Sequence, residues 1–350
     1  MNEKQYLLEL EKQLTKLNRK ERNDILRDFE EYFENGRQEG KSDEGIIQGL
    51  GEVAVLAEEL LQAYSSEDFV EEVQMEVREA ATAYKNIDVN IDGANLTIYP
   101  TDRTEAYIEV KDQDEHTEVD MHVVADTLYV KVKHRGTAKK FFFITFVGNL
   151  SRADVKLYLP KVNYEQIKVY NDDGFIHIEE TYATAFELES DNGRIVTEKL
   201  VGQRVNLETD NGRIEMRHLV FKEVKAKTDN GRIIAEKITS MKNQLYTDNG
   251  RIELTDMSGT IEAETDNGRI VAQIESIIGT STFKTDNGSI QISSPSRLKD
   301  IVIEANTSWG STTIYGESTA IYTNGSMQNK LKLKTSNGKI LVMEGSLVEI

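Results

Sequence analysis

A chain of 350 residues with 42 Lys+Arg against 61 Asp+Glu, a net charge of −19, no cysteine and only 3 prolines excludes several classes at once. Such acidity argues against nucleic acid, whose binding needs basic surface to displace counterions. Zero cysteines exclude disulfides, thiolate zinc and a cysteine nucleophile, while 38% hydrophobic residues supply a core for two domains or one long repeat array.

The start, Met1 to Tyr6, lacks the basic opening and apolar run of a signal peptide. A cytoplasmic location is expected, with peripheral membrane attachment or non-classical surface exposure left open. The longest apolar run, Phe141 to Val147, falls far short of the roughly 18–20 residues that span a bilayer.

Residues 1–68 read as a small acidic helical bundle. Tyr6, Leu7, Leu10, Leu14 and Leu17 recur at helical spacing on one face. A second helix carries Ile25, Leu26, Phe29 and Phe33, and Asn35-Gly36 is expected to close it through a left-handed cap. Ser42 is a good N-cap for a third, with Asp43 and Glu44 in its first turn. A fourth runs from about Val53 to Tyr64. A bundle of this size is marginal alone, so docking on a partner or on the rest of the chain is expected. Residues 69–86 form a linker, with Val70, Val73, Val77 and Ala80 spaced for a linking helix over 69–85.

From Ile87 the period becomes two. Residues 87–164 are a β-rich opening part, seen in Ile87-Asp88-Val89-Asn90-Ile91, Leu128 to Val132 and Val155 to Leu159, the last halted by Pro160. The Phe141–Phe146 run reads as a buried strand or inter-domain seam.

Residues 165–350 are dominated by a repeated turn: Asp191-Asn192-Gly193, Asp210-Asn211-Gly212, Asp229-Asn230-Gly231, Asp248-Asn249-Gly250, Asp266-Asn267-Gly268 and Asp286-Asn287-Gly288. Gly174 extends the series backward by 19, and Gly310, Gly325 and Gly338 extend it forward irregularly. A sustained period near 19 signals a repeat architecture. Asn-Gly between alternating runs also fits an antiparallel meander of hairpins. The meander gives no reason for turns of near-identical sequence. A parallel β-solenoid of about 19 residues per coil does, with Asn amide above Asn amide, isoleucine above isoleucine, and glycine at a positive-φ corner. The fold class is therefore mainly β, a repetitive parallel solenoid preceded by a small α-helical bundle.

In such a solenoid the six aspartates would lie about 4.8 Å apart and repel by roughly 0.9 kcal/mol per pair in water. The column Arg194, Arg213, Arg232, Arg251 and Arg269 is expected to offset this. The turn residues read first as a structural ladder, with the arginines and Trp309 as a partner surface. A calcium-binding carboxylate ladder is the weaker alternative, since the Gly-Gly-x-Gly-x-Asp pattern is absent. His116, His122, His134, His177 and His218 show no metal-ligand pairing, and His177 reads as a surface residue. No phosphate loop or nucleophile elbow appears. No catalytic, cofactor or metal residues are assigned, and a glycan lyase is the least favoured reading.

Two resemblances rest on particular residues. Tyr6-Leu7, Leu17 to Arg22, Phe29-Glu30-Glu31-Tyr32-Phe33, Leu50-Gly51 and Ala57 to Leu60 resemble the HAAS/DUF1700 helical domain of Gram-positive bacteria, although Val53 stands near where that family usually has proline. Leu159-Pro160, Ile167-Lys168-Val169 and the Thr-x-Asn-Gly-x-Ile units resemble the DUF4097 β-strand repeat family, labelled an adhesin candidate. The resemblance implies a solenoid joined to a helical signalling module, in proteins of envelope stress or surface interaction, with no catalytic residues to carry over. The expected role is a non-enzymatic binding or regulatory scaffold. Its expected partner is a protein, such as a membrane-bound signalling component or a cationic peptide. Self-assembly or adhesion is the alternative. Residues 1–68, with nine basic and seventeen acidic residues, are the densest in negative charge and the expected surface for a basic partner.

Overall fold

The computed structural model describes residues 2–14, 17, 19–38, 40–63, 75–79, 84–111, 117–134, 139–141, 144–146 and 153–345. The chain divides into two compact units. One takes Met1–Met75, Val110–Thr117 and His134–Ala153, and the other Glu76–Glu109, Glu118–Lys133 and Asp154–Ile350.

Among the described residues the first unit holds four helices, α1 (Glu3–Gln13), α2 (Arg19–Gln38), α3 (Asp43–Leu50) and α4 (Val53–Ala63). Asn2 opens α1 with a reciprocal capping box to Gln5. Ser42 caps α3 by accepting from the Gly45 N–H at 3.2 Å. The helical spacing delivers its apolar residues to one core, with Tyr6, Leu10, Leu14, Ile25, Phe29, Phe33, Ile46 and Leu60 buried together. Tyr6 sits edge-on to Phe33, ring centres 5.9 Å apart, and burial pushes its phenol up to about 12.

Asn35-Gly36 does not end α2, which runs on to Gln38. Glycine there leaves room for the Ile46 side chain, whose Cδ1 would lie 2.7 Å from a Cβ. The positive-φ glycine that follows α2 is Gly40, at φ 83° with its N–H donating to the Arg37 carbonyl at 3.0 Å, and Gly51 does the same for α3 at φ 85°. The expected linking helix is also corrected in part. Met75–Glu79 is a strand beside Ala106–Lys111, since sheet pairing overrides a weak helical spacing of β-branched valines. Residues 69–74 and 80–83 lie outside the described residues.

Among the described residues the second unit is built on two sheets of 13 strands each. One sheet takes the strand before each turn and the other the strand after it. Phe186 pairs with Val205 and Val205 with Val224 in the first. Ile195, Ile214, Ile233 and Ile252 follow one another in the second. Every one of these pairings is parallel, so the solenoid stands and the hairpin meander does not. Each Asn-Gly turn carries the chain from one sheet to the other. The inward columns close the core between the sheets: Leu188, Leu207, Leu245 and Phe283 face Ile195, Ile214, Ile252 and Ile290, all buried.

The turn glycines do not adopt positive φ, contrary to expectation. Their requirement is close approach: a Cβ on Gly231 would stand 1.7 Å from the Gly212 carbonyl oxygen. Left-handed backbone appears at the opposite corner, on Glu180, Lys199, His218, Lys237 and Asp256, with φ between 48° and 56°. There it turns the next side chain, Leu200, Leu219, Ile238 or Met257 in the later four, into the core.

The opening strands belong to the same two sheets. Asn86–Asp92 and Ala94–Thr101 form the coil on which Asn163–Asn171 and Ile176–Glu179 stack. Around the aromatic run, Lys139–Phe141 and Ile144–Phe146 pair antiparallel. The seam reading of its side chains lies outside the described residues.

At the far end, chain order and spatial order part. Thr280–Thr285 pairs with Asn329–Asn337, not with the next strand in sequence. Ile301–Trp309 lies beyond, parallel to Asn329–Asn337. The last coil in sequence is therefore the penultimate one in space. Leu341 and Val342 pair on both sides, with Gln291 and Ile292 and with Thr313 and Ile314, so they do not form the exposed edge that end-to-end assembly would use. Leu347 and Val348 lie outside the described residues. The outermost strand of the first sheet is a short antiparallel one, Ile321–Asn324 against Ile301–Glu304, a form that blunts edge pairing. Gly325 is not part of the turn series. It sits at φ 69° beside Asp300, whose carboxylate accepts from Ser326 N and Oγ at 2.8 and 2.9 Å.

Candidate functional site

The repeated turn brings three polar columns together. Thr209, Thr228 and Thr247 are buried. Thr228 Oγ1 accepts from the Gly231 N–H at 3.0 Å within its coil and donates to the Gly212 carbonyl at 3.0 Å in the coil before. This explains the threonine three residues ahead of glycine: one hydroxyl closes the turn and joins it to its neighbour. The asparagines form a ladder along the surface. Asn211 Nδ2 donates to Asn192 Oδ1, Asn230 to Asn211, Asn249 to Asn230, Asn267 to Asn249 and Asn287 to Asn267, all at 2.8–3.0 Å. Asp173 receives the bond at one end and Asn337 extends it at the other.

The aspartate and arginine columns do not compensate each other as expected, because they lie on opposite sides of the glycine. Asp191 accepts from Tyr170 Oη at 3.2 Å and Asp229 lies 3.7 Å from Lys227, both partners on the sheet that precedes the turns. The arginines cover the other sheet. Arg194, Arg213 and Arg217 converge on Glu215 at 3.7, 3.2 and 2.7 Å, and Glu215 is only 7% exposed. Arg232 and Arg251 converge on Glu253 at 3.4 and 3.2 Å. Sequence reasoning missed both glutamates. Their signal was present: Gly-Arg-Ile is followed by Glu at 215 and 253, and by Val196, Ile234 or Val271 in other coils of the series.

Trp309 is in register with Asn337, where the asparagine ladder ends, and it is 80% exposed. His177 lies on the outer face of its strand, half-buried and edge-on to Tyr99 at 6.4 Å. It borders an aromatic patch that the sequence did not announce, with Tyr107 and Tyr158 stacked at 4.4 Å. Tyr158 is pushed up to about 12 by burial, with the Glu109 carboxylate 3.2 Å from its hydroxyl adding to the rise. His122 pairs with Asp120, and His218 occupies a left-handed corner. Among the described residues, no group of three or more acidic or histidine side chains is placed to hold a metal ion, and no helix is long and apolar enough to cross a membrane.

Comparison with known families matches residues 84–343 to Toastrack DUF4097 and residues 5–59 to HAAS. No curated protein matches. Similar solved structures include a candidate adhesin from Bacteroides fragilis NCTC 9343, 12% identical over 77% of this chain and 97% of that one, TM-score 0.39. A candidate lipid-binding protein from Parabacteroides distasonis ATCC 8503 is 11% identical over 77% and 96%, TM-score 0.46. A candidate cell adhesion protein from Clostridium sporogenes ATCC 15579 is 11% identical over 78% and 100%, TM-score 0.23.

Proposed function

The chain belongs to the Toastrack DUF4097 family, with a HAAS domain ahead of the repeat, and from that premise we propose that it is a binding scaffold and not an enzyme. One observation carries the reading. The most repeated polar residues are engaged in holding coil to coil, through the threonine bridges and the asparagine ladder. A stack of coils tied together in this way, with ion pairs on its faces, suits presentation and spacing. The helical unit, densest in negative charge, suits capture of a basic partner, and a membrane-bound component of cell-envelope stress signalling is the setting we propose for it. The test compares full-length bait with bait lacking residues 1–68, using Gram-positive membrane extract. Partners retained only by the full chain are expected; equal capture by both baits sinks the docking role of the helices.

A second reading, adhesion through the far end of the rod, is favoured by Trp309, exposed on the outermost coil. As the sole tryptophan of the chain, it reports directly on contact there. A shift in its emission on titration with cell-wall polysaccharide supports adhesion, and an unchanged spectrum removes it.

A further inference from the structure

A furrow of about 900 Å³ runs between α1 and α2 on the exposed side of the helical unit. Leu7 and Leu8 of α1 and Leu26 of α2 line it. Leu7 and Leu26 rest on the core beneath, whereas Leu8 is 54% exposed. Glu11, Glu30, Glu31 and Glu34 also line it, and among the described residues none of these four has an ion-pair partner. The nearby arginines do not compensate them. Arg27 is held by Asp24 at 2.9 Å, and Arg37 by Glu3 at 2.7 Å and Asp43 at 3.2 Å. Of the lining cations, only Lys4 is left without a carboxylate among the described residues. The lining therefore combines an apolar strip with a surplus of unpaired negative charge.

We propose that this furrow docks a cationic amphipathic helix of a partner protein. The proposal rests on reading the helical unit as the docking module and names what that module takes. Two neighbouring helices offer a groove that a third fills with side chains spaced i, i+3, i+4 and i+7. Along the 11 residues of α1 such a helix makes about three turns at 1.5 Å per residue. Its apolar stripe meets the three leucines, and Lys or Arg flanking the stripe meets the four glutamates. The same charges disfavour the other occupants. An anionic lipid surface would be repelled by them, and a second copy of the furrow would bring four more glutamates against the first four.

The probe is a synthetic 18-residue helix of leucine and lysine with the leucines on one face, titrated calorimetrically into the full chain at near-physiological salt. Two controls replace its lysines by glutamate or scramble the order so that the stripe is lost. The lysine helix is expected to bind, and both controls to bind at least about tenfold more weakly. Leu8→Asp should weaken the lysine helix by about tenfold. Glu30→Lys combined with Glu34→Lys should do the same and also gain affinity for the glutamate helix, a reversal that a misfolded variant would not show. Circular dichroism of each variant checks its folding.

Binding of the lysine helix that is indifferent to both furrow variants overturns the proposal, since the charge then acts elsewhere on the chain. So does dimerisation of the free chain, or attachment to phosphatidylglycerol vesicles, that Leu8→Asp abolishes. If the peptide fails while removal of residues 1–68 still abolishes partner capture, the furrow assignment falls and the docking-module reading stands.

Discussion

Glycine is required at some positions of this chain and dispensable at others, and substitution separates them. At Gly231 a methyl group would overlap the carbonyl oxygen of the neighbouring coil, so Gly231→Ala must push two coils apart. A loss of about 3 kcal/mol or more is expected in denaturant unfolding of the solenoid. Gly49, inside α3, has open space where its Cβ would be. Gly49→Ala should stabilise the helical unit by about 0.5–1 kcal/mol, because alanine loses less backbone entropy on folding. The solenoid reading expected these turn glycines at positive φ, whereas the turns ask for room.

Asp28 is a second residue with a definite sign. Partial burial raises its carboxyl above the ordinary aspartate value; the Arg27 charge opposes the rise, and Asp24 and Glu31 add to it. A raised folded value means the group favours folding fully below its unfolded pKa, and that benefit is lost as pH climbs through the folded value. At neutral pH the charged side chain is therefore a cost to the helical unit. Asp28→Asn should raise its thermal midpoint at pH 7 and leave little difference near pH 3. A thermal melt at both pH values checks it.

At the level of elements, the asparagine ladder and the threonine bridges divide the labour between surface and interior. Asn249→Ala removes one accepted and one donated bond, to Asn267 and Asn230. Because both lie in solvent, a loss of about 1 kcal/mol is expected, with hydrogen exchange rising locally at the 230, 249 and 267 turns. Thr247→Val, which keeps the shape but leaves the Gly250 N–H and the Gly231 carbonyl without their hydroxyl, should cost about 2 kcal/mol or more in the same measurement.

The repeat period and the two-strand coil were legible in the sequence because stacked parallel turns demand the same residue in each coil. The glutamates under the arginines were obscured because they recur in only two coils, where one carboxylate serves the guanidiniums of two neighbouring coils. The C-terminal order was hidden because Gly310 and Gly338 occupy equivalent turns. Yet Trp309 held the clue: an asparagine can receive a ladder bond and pass one on, an indole cannot, so the coil bearing Trp309 belongs at the end of the stack.

The whole solenoid is held by contacts between neighbouring coils, which makes its stability roughly a sum of coil and interface contributions. Removing the final coil of such an array ordinarily leaves the remainder intact. Here the final segment lies between two earlier coils, so truncation after residue 328 should strip Ile301–Trp309 of its parallel partner. Hydrogen exchange is expected to show residues 301–324 unprotected in the truncated chain, with protection at 182–273 unchanged. Continued protection of 301–309 would mean that it had re-registered directly onto Thr280–Thr285.

That interposed coil also bears on how the protein is made. A ribosome releases Ile301–Trp309 before the strand that separates it from the growing stack exists. The earlier coils can stack as they emerge, but Ile301–Trp309 must wait for Asn329–Asn337 before it can join them.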